Sequence, residues 1–332
     1  MTQAKKASYE LYPMLTQKIV ASERDYAGRE AKGMNERQVL QRFAKRNPGL
    51  SNDHAFYIMA EELHLKDNGS QVIFPESPVV LDNLLKARFT MESHEGFDLP
   101  FNSFLLAMPM GYKYAGFQMP GLLVTWIPGK DFASGVLSPF LRLLAIEEGR
   151  TSFSDLPDMG LLSIVFLDRD SKGARSRSIV YGEDLPALLK AKNPEGFRDS
   201  MVRLGILRDP DSMDHKEASL QFYAMRLVAS LGVYHLATGG KRLKPGYPMA
   251  SAPKMDGKRP EQPVAPLTLS SCIPLDDLGS SERQSHFRTW HFRQLRDERF
   301  YRGEYQGHAH GSRYVFVSEA VVGLDATPST QS

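Results

Sequence analysis

Apolar positions along this chain change their spacing twice, from a helical period to short continuous runs and back again. The first hundred residues read mainly as helix. Asn35 is placed to cap ERQVLQRFAKR, where Val39, Leu40 and Phe43 share one face before Asn47-Pro48-Gly49 ends the element. The spacing predicts a second amphipathic helix over His54 to Leu65. In VIFPESPVVLDNLLKARF, Ser77 takes the cap, Pro78 the first helical position, and Val80, Leu81, Leu84 and Leu85 form an apolar stripe.

The middle of the chain turns to strand-like runs. Ser103 to Met108, Gly121 to Ile127 and Leu161 to Leu167 are short and almost wholly apolar, with Ser178 to Tyr181 as a shorter fourth. Near-continuous hydrophobicity predicts a sheet covered on both faces, and Val136 to Glu147 reads as a crossover helix between two of its strands. Helical spacing returns at Leu185 to Lys192 and at Phe197 to Leu204. The strongest helix begins at Asp214, which stands at capping-box distance from Glu217. Within it Leu220, Tyr223, Leu227, Leu231 and Tyr234 recur at helical period and are read as core.

From Gly239 the composition shifts. GGKRLKPGYPMASAPKMDGKRPEQPVAP is rich in proline and basic residues and nearly free of aliphatics, which predicts a linker or an extended arm. The expected organisation is an α/β (α+β) fold: a body over 1–240 with a helical N-terminal part and a mixed sheet, a Pro-rich arm over 241–265, a small β-rich module over 266–324, and a disordered tail over 325–332.

Composition narrows the functional classes. The formal net charge of the 332-residue chain is +2, so any nucleic-acid binding must come from a local patch and not from a global field. Cys272 is the only cysteine, which rules out an intrachain disulfide framework and a thiolate zinc site and points to a reducing compartment. The N-terminus lacks an uninterrupted apolar signal region, and no window approaches a membrane-spanning length. A cytoplasmic protein is the expectation.

One segment departs from the ordinary. Residues 283–323 hold seven arginines and no lysine, interleaved with Phe287, Trp290, Phe292, Phe300, Tyr301, Tyr305 and Tyr314, and carry four of the nine histidines. Arginine presents a planar fork that pairs bidentately with phosphate or carboxylate and stacks on rings, so the exclusion of lysine points to a geometric requirement. Forks alternating with aromatic faces are what a surface for single-stranded nucleic acid needs. The same residues also fit a small structural β-module whose arginines pair with Asp297, Glu298 and Glu304. If 287–294 is a strand, Phe287, Thr289, His291 and Arg293 face one way and Arg288, Trp290, Phe292 and Gln294 the other, and neither face is cleanly apolar.

Other chemistries have less support. The phosphate-loop, dinucleotide, nucleophile-elbow and HExxH signatures are absent. Asp168 and Asp170 follow a predicted strand, where paired carboxylates suit metal-assisted phosphodiester chemistry or simply end the strand in a solvated turn. His286, His291, His308 and His310 fit acid–base work on RNA, or loop and stacking roles. No catalytic residue, metal site or cofactor is assigned. The binding candidates are Arg288, Trp290, His291, Phe292, Arg293, Arg296, Arg299, Arg302 and Arg313.

VIFPESPVVLDNLL, LPFNSFLLAMP, the late long helix, the Pro-rich stretch and the closing HFRTWHFRQ…GSRYVFVSEAVV together resemble the second type V-A anti-CRISPR family and its phage and plasmid relatives. The resemblance spans roughly residues 70–323. The closing pattern falls on Arg288, His291, Phe292, Arg293 and Arg313 to Val317, with Phe292 where relatives carry Trp. It implies a non-enzymatic inhibitor in the bacterial host cytoplasm. Its partners would be the nascent N-terminal segment of the effector nuclease and RNA, with loss of the effector's mRNA as the outcome. An RNA-cleaving enzyme and a phage or plasmid nucleic-acid-binding accessory protein are the alternatives.

Overall fold

The computed structural model describes residues 9–47, 54–87, 91, 94, 97–127, 160–168, 175–248, 265–270, 291–303, 306 and 313–317. In chain order the strands and α-helices are β1 (Tyr9–Glu10), α1 (Leu15–Ala27), α2 (Glu36–Arg46), α3 (His54–Asp67), β2 (Gln71–Pro75), α4 (Pro78–Lys86), β3 (Ser103–Leu106) and β4 (Met108–Pro109). There follow β5 (Lys113–Tyr114), β6 (Phe117–Gln118), β7 (Leu122–Ile127), β8 (Leu161–Leu167), β9 (Arg175–Tyr181), α5 (Leu185–Leu189), α6 (Pro194–Arg203) and α7 (His215–Ala237). The last are β10 (Leu243–Pro245), β11 (Ala265–Leu269), β12 (His291–Leu295) and β13 (Arg313–Val317).

Seven strands form one mixed sheet in the order β10-β11-β2-β3-β7-β8-β9, which bears out the α/β class. β2 runs parallel to both β11 and β3, and the β3-β7-β8-β9 half is antiparallel. The two-residue alternation of the strands sends Leu122, Val124 and Trp126 to one face and Leu123 to the other. The first face also carries Ile73, Phe104, Ile164 and Phe166 and packs on the apolar stripe of α4 and on α7. The second face carries Val72, Leu105 and Val165 and packs on Ile58 and Leu65 of α3, with Tyr12 and Met14. The sheet is therefore covered on both sides, as its apolar runs predicted. Val39, Leu40, Val20 and Met59 tie α1, α2 and α3 into a smaller third cluster.

Local signals place several helix ends. The Asn35 side chain accepts from the Gln38 N–H while Gln38 returns a bond to the Asn35 N–H, closing a capping box. Asp214 accepts from the Glu217 N–H at 2.7 Å, starting α7. Ser77 precedes α4 with Pro78 in the first turn, but its side chain makes no cap bond. α1 begins after Met14, which cannot cap it. Its first N–H groups, on Leu15 and Thr16, donate instead to the two carboxylate oxygens of Glu62 on α3, each at 2.7 Å, and Tyr12 Oη donates to the same group at 2.9 Å. Arg175 closes this network by donating to Tyr12 Oη at 3.0 Å and to the Pro13 carbonyl at 2.8 Å.

A second buried charge sits beside it. Glu61 Oε1 accepts from Arg177 Nε and from Ser163 Oγ, both at 2.7 Å, and the two charged side chains are 0% and 4% exposed. Burial is the chief influence on the Glu61 carboxyl and pushes it up, while Arg177 and Ser163 pull it back down.

The first hundred residues are mainly helical, as expected, and β2 lies inside the sheet between β11 and β3. The described start of the Pro-rich segment supplies β10, and β11 begins at its last residue, Ala265; both strands extend the body's sheet, with Leu269 buried and Leu243 and Leu267 packed on the main core. Pro245 is tolerated because β10 is an edge strand. The β12-β13 hairpin packs on α7, and Tyr314 packs against the main core. The crossover helix expected at Val136 to Glu147, the tail over 325–332 and most of the Pro-rich stretch lie outside the described residues.

Candidate functional site

The arginine-rich segment folds into the hairpin β12-β13, with Arg293 opposite Val315 and Leu295 opposite Arg313. A short 3-10 turn, Glu298–Tyr301, follows β12. Tyr301 is buried and holds the loop shut, donating to the Leu295 carbonyl at 2.6 Å and accepting from the Arg313 N–H at 3.3 Å. The Arg313 guanidinium donates to the Phe300 carbonyl, so this half-buried arginine clasps the loop. Arg293, Arg296, Arg299 and Arg302, three residues apart, are all exposed. Arg299 pairs with Asp297 at 3.4 Å and stacks 4.7 Å from the Phe300 ring centroid. Counting Arg313, the described hairpin residues present five arginines against the carboxylates of Asp297 and Glu298.

The structure thus places seven of the nine predicted binding residues on the hairpin segment: four as exposed cations, one as a clasp, and His291 and Phe292 on β12. Arg288 and Trp290 lie outside the described residues, as do His286, His308 and His310. Asp168 forms an ion pair with Lys216 at 2.6 Å, and Asp170 is not among the described residues. No group of three or more metal-ligating side chains occurs among the described residues.

A second feature was missed in the sequence. A cleft of about 1030 Å³ opens between the β5-β6 turn, the 186–194 segment and α7. α7 is buried along most of its length, but Tyr223 and Arg226 are only half-buried, and their three-residue spacing turns both into the cleft. Tyr223 meets Tyr114 edge to face with ring centroids 5.1 Å apart and leans on Phe222 at 5.2 Å. Arg226 lies 5.6 Å over Phe222, and its Nη2 donates a long 3.5 Å bond to the Ala87 carbonyl. Among the described residues no carboxylate pairs with it. Burial lowers the Arg226 guanidinium from its ordinary value.

Exposed Lys190 and Lys192 line the cleft beside Asn193, whose side chain caps α6 through the Gly196 N–H at 2.9 Å. Among the described residues the nearby carboxylates are engaged elsewhere: Glu195 with His215 at 3.1 Å and Asp82 with Tyr112 Oη at 2.8 Å. One sequence signal was available. Arg226 is the only charged residue between Glu217 and His235, inside an otherwise apolar helix. Comparison with known protein families, with curated proteins and with solved structures finds no match to this chain. No helix among the described residues is long and apolar enough to cross a membrane.

Proposed function

We propose that this chain is a binding protein that engages single-stranded RNA through the β12-β13 hairpin, as an inhibitor that lowers the biosynthesis of a type V-A effector nuclease through its mRNA. The observation that carries the RNA half is the row of exposed guanidiniums at Arg293, Arg296, Arg299 and Arg302, beside a segment dense in aromatics. Forks of this kind bind phosphate bidentately and stack on unpaired bases, where a lysine would act only as a point charge. The effector half rests on the resemblance of the closing HFRTWHFRQ…GSRYVFV pattern to the anti-CRISPR family. In that reading the nascent N-terminal segment of the nuclease is the protein partner, and the host cytoplasm is where the two meet.

The RNA half is tested by filter binding of a single-stranded oligoribonucleotide between 50 and 200 mM salt. Each phosphate contact contributes about −0.7 to the log–log salt slope on single strands. The triple change Arg293→Ala, Arg296→Ala and Arg302→Ala is expected to flatten that slope by about 2 while leaving the thermal melt unchanged. Absence of binding at 50 mM salt, or an unaltered slope, sinks this reading. The effector half is tested in cells: effector mRNA falls on expression of the chain only while the N-terminal coding segment of the nuclease is intact.

A further inference from the structure

We propose that the cleft beside α7 is a binding site for a nucleoside 5′-phosphate, with Arg226, Lys190 and Lys192 taking the phosphate and Tyr114 and Tyr223 holding the base. The site is distinct from the hairpin and does not depend on what the hairpin binds.

Arg226 is the centre of the site. A guanidinium has five N–H donors and no acceptor, and among the described residues one long bond to the Ala87 carbonyl is its only hydrogen bond. Half-burying such a group without an anion is unfavourable, and the opposing carboxylates that would neutralise it are absent among the described residues. The guanidinium carbon lies over the Phe222 ring, 5.6 Å from its centroid, a contact that orients the fork before any ligand arrives.

The surroundings set the ligand's charge and shape. Lys190 and Lys192 add two exposed cations on the segment that leads into α6. Three cations exceed what a lone carboxylate calls for and suit a dianionic phosphate. The Tyr114–Tyr223 pair offers half-buried ring surface against which a base can stack. The volume of about 1030 Å³ is far more than a bare phosphate fills and lies at the top of the about 300–1,000 Å³ range of small-molecule sites.

The test is saturation-transfer NMR on the full chain with an equimolar mixture of the four ribonucleoside 5′-monophosphates. Transfer to the base protons of at least one nucleotide is expected. Arg226→Met keeps an unbranched apolar stem in the helix and removes the fork, and is expected to weaken binding about tenfold or more. Lys190→Ala with Lys192→Ala, at exposed positions, is expected to weaken it several-fold without changing the fold. The hairpin triple change is expected to leave mononucleotide binding untouched, so failure of the hairpin reading and failure of this one are separate readouts. An RNA pentamer carrying a 5′-phosphate that binds tighter than any mononucleotide and than its 5′-hydroxyl twin assigns the site to an RNA end. Weaker binding of that pentamer assigns it to a free nucleotide. No transfer to any of the four, or transfer undiminished in both the arginine and the lysine variants, overturns the proposal.

Discussion

Replacing Arg177 by Met separates the two things that arginine does. It packs on the second face of the sheet, 5.4 Å over the Tyr57 ring, and it neutralises a carboxylate that water does not reach. Methionine keeps most of the packing and removes the charge. Breaking a buried pair by removing one partner costs about 3–5 kcal/mol, because the survivor is left uncompensated. Ser163 remains to donate one bond to Glu61 but cannot replace the cation. Glu61 must then stay charged in an apolar site or take up a proton.

Burial already pushes this carboxyl above its ordinary value of 4.5, and losing Arg177 removes the largest opposing influence. A carboxyl raised in the folded state binds more protons folded than unfolded. Its stabilising contribution is therefore complete below about pH 4.5 and is lost as pH rises through the folded value. The deficit of the variant relative to the parent is expected to shrink from pH 8 to pH 5, by at most about 1.4 kcal/mol per pH unit for one proton. The double change Glu61→Gln with Arg177→Met is expected to recover about half or more of the loss and to show no such pH trend. Urea unfolding followed by far-ultraviolet circular dichroism, parent and variants at each pH, measures both effects. A deficit flat between pH 5 and 8, or a double variant no more stable than Arg177→Met alone, refutes the reasoning.

Two further changes test the packing. Gly232 sits in the middle of α7 because a Cβ there would lie 2.9 Å from the Asp98 carbonyl oxygen and 2.9 Å from Leu99 Cδ2; Gly232→Ala gains about 1 kcal/mol of helix propensity yet is expected to lose about 1–3 kcal/mol to overpacking, so a raised melting temperature contradicts the close approach. Ala115 holds φ 49° at the tip of the two-residue β5-β6 turn, a left-handed conformation that costs an L-residue about 1–2 kcal/mol, so Ala115→Gly is expected to stabilise the chain by up to about 1 kcal/mol, and calorimetry showing a loss would refute this.

What the sequence disclosed and what it withheld divide along chain distance. The Asn35 and Asp214 caps, the α4 stripe and the apolar runs of β3, β7 and β8 are local patterns, and each element stands where its pattern falls. β2 was hidden because its apolar run is too short to tell strand from helix, and only its parallel partners on both sides settle it. β11 falls where the proline-rich arm gives way to the β-rich segment, and its place in the body's sheet is hidden because it is set by Ile73 opposite Leu267, nearly two hundred residues earlier in the chain. The Glu62 cap of α1 likewise joins residues that no window contains.

The two candidate sites differ in the same way. The hairpin arginines are contiguous, so their density is visible, but whether each one is exposed or clasps the loop, as Arg313 does, depends on the fold. The cleft is assembled from residues near 114, 190 and 223, ordinary apart except for one. A helix buried along most of its length has no solvation to offer a guanidinium, so a single arginine there must be neutralised, stacked or aimed at an opening. Arg226 is stacked on Phe222 and aimed at an opening, and no carboxylate among the described residues neutralises it. That combination makes an isolated charge inside an apolar helical stripe a reason to look for an anion, even before the cleft around it is seen.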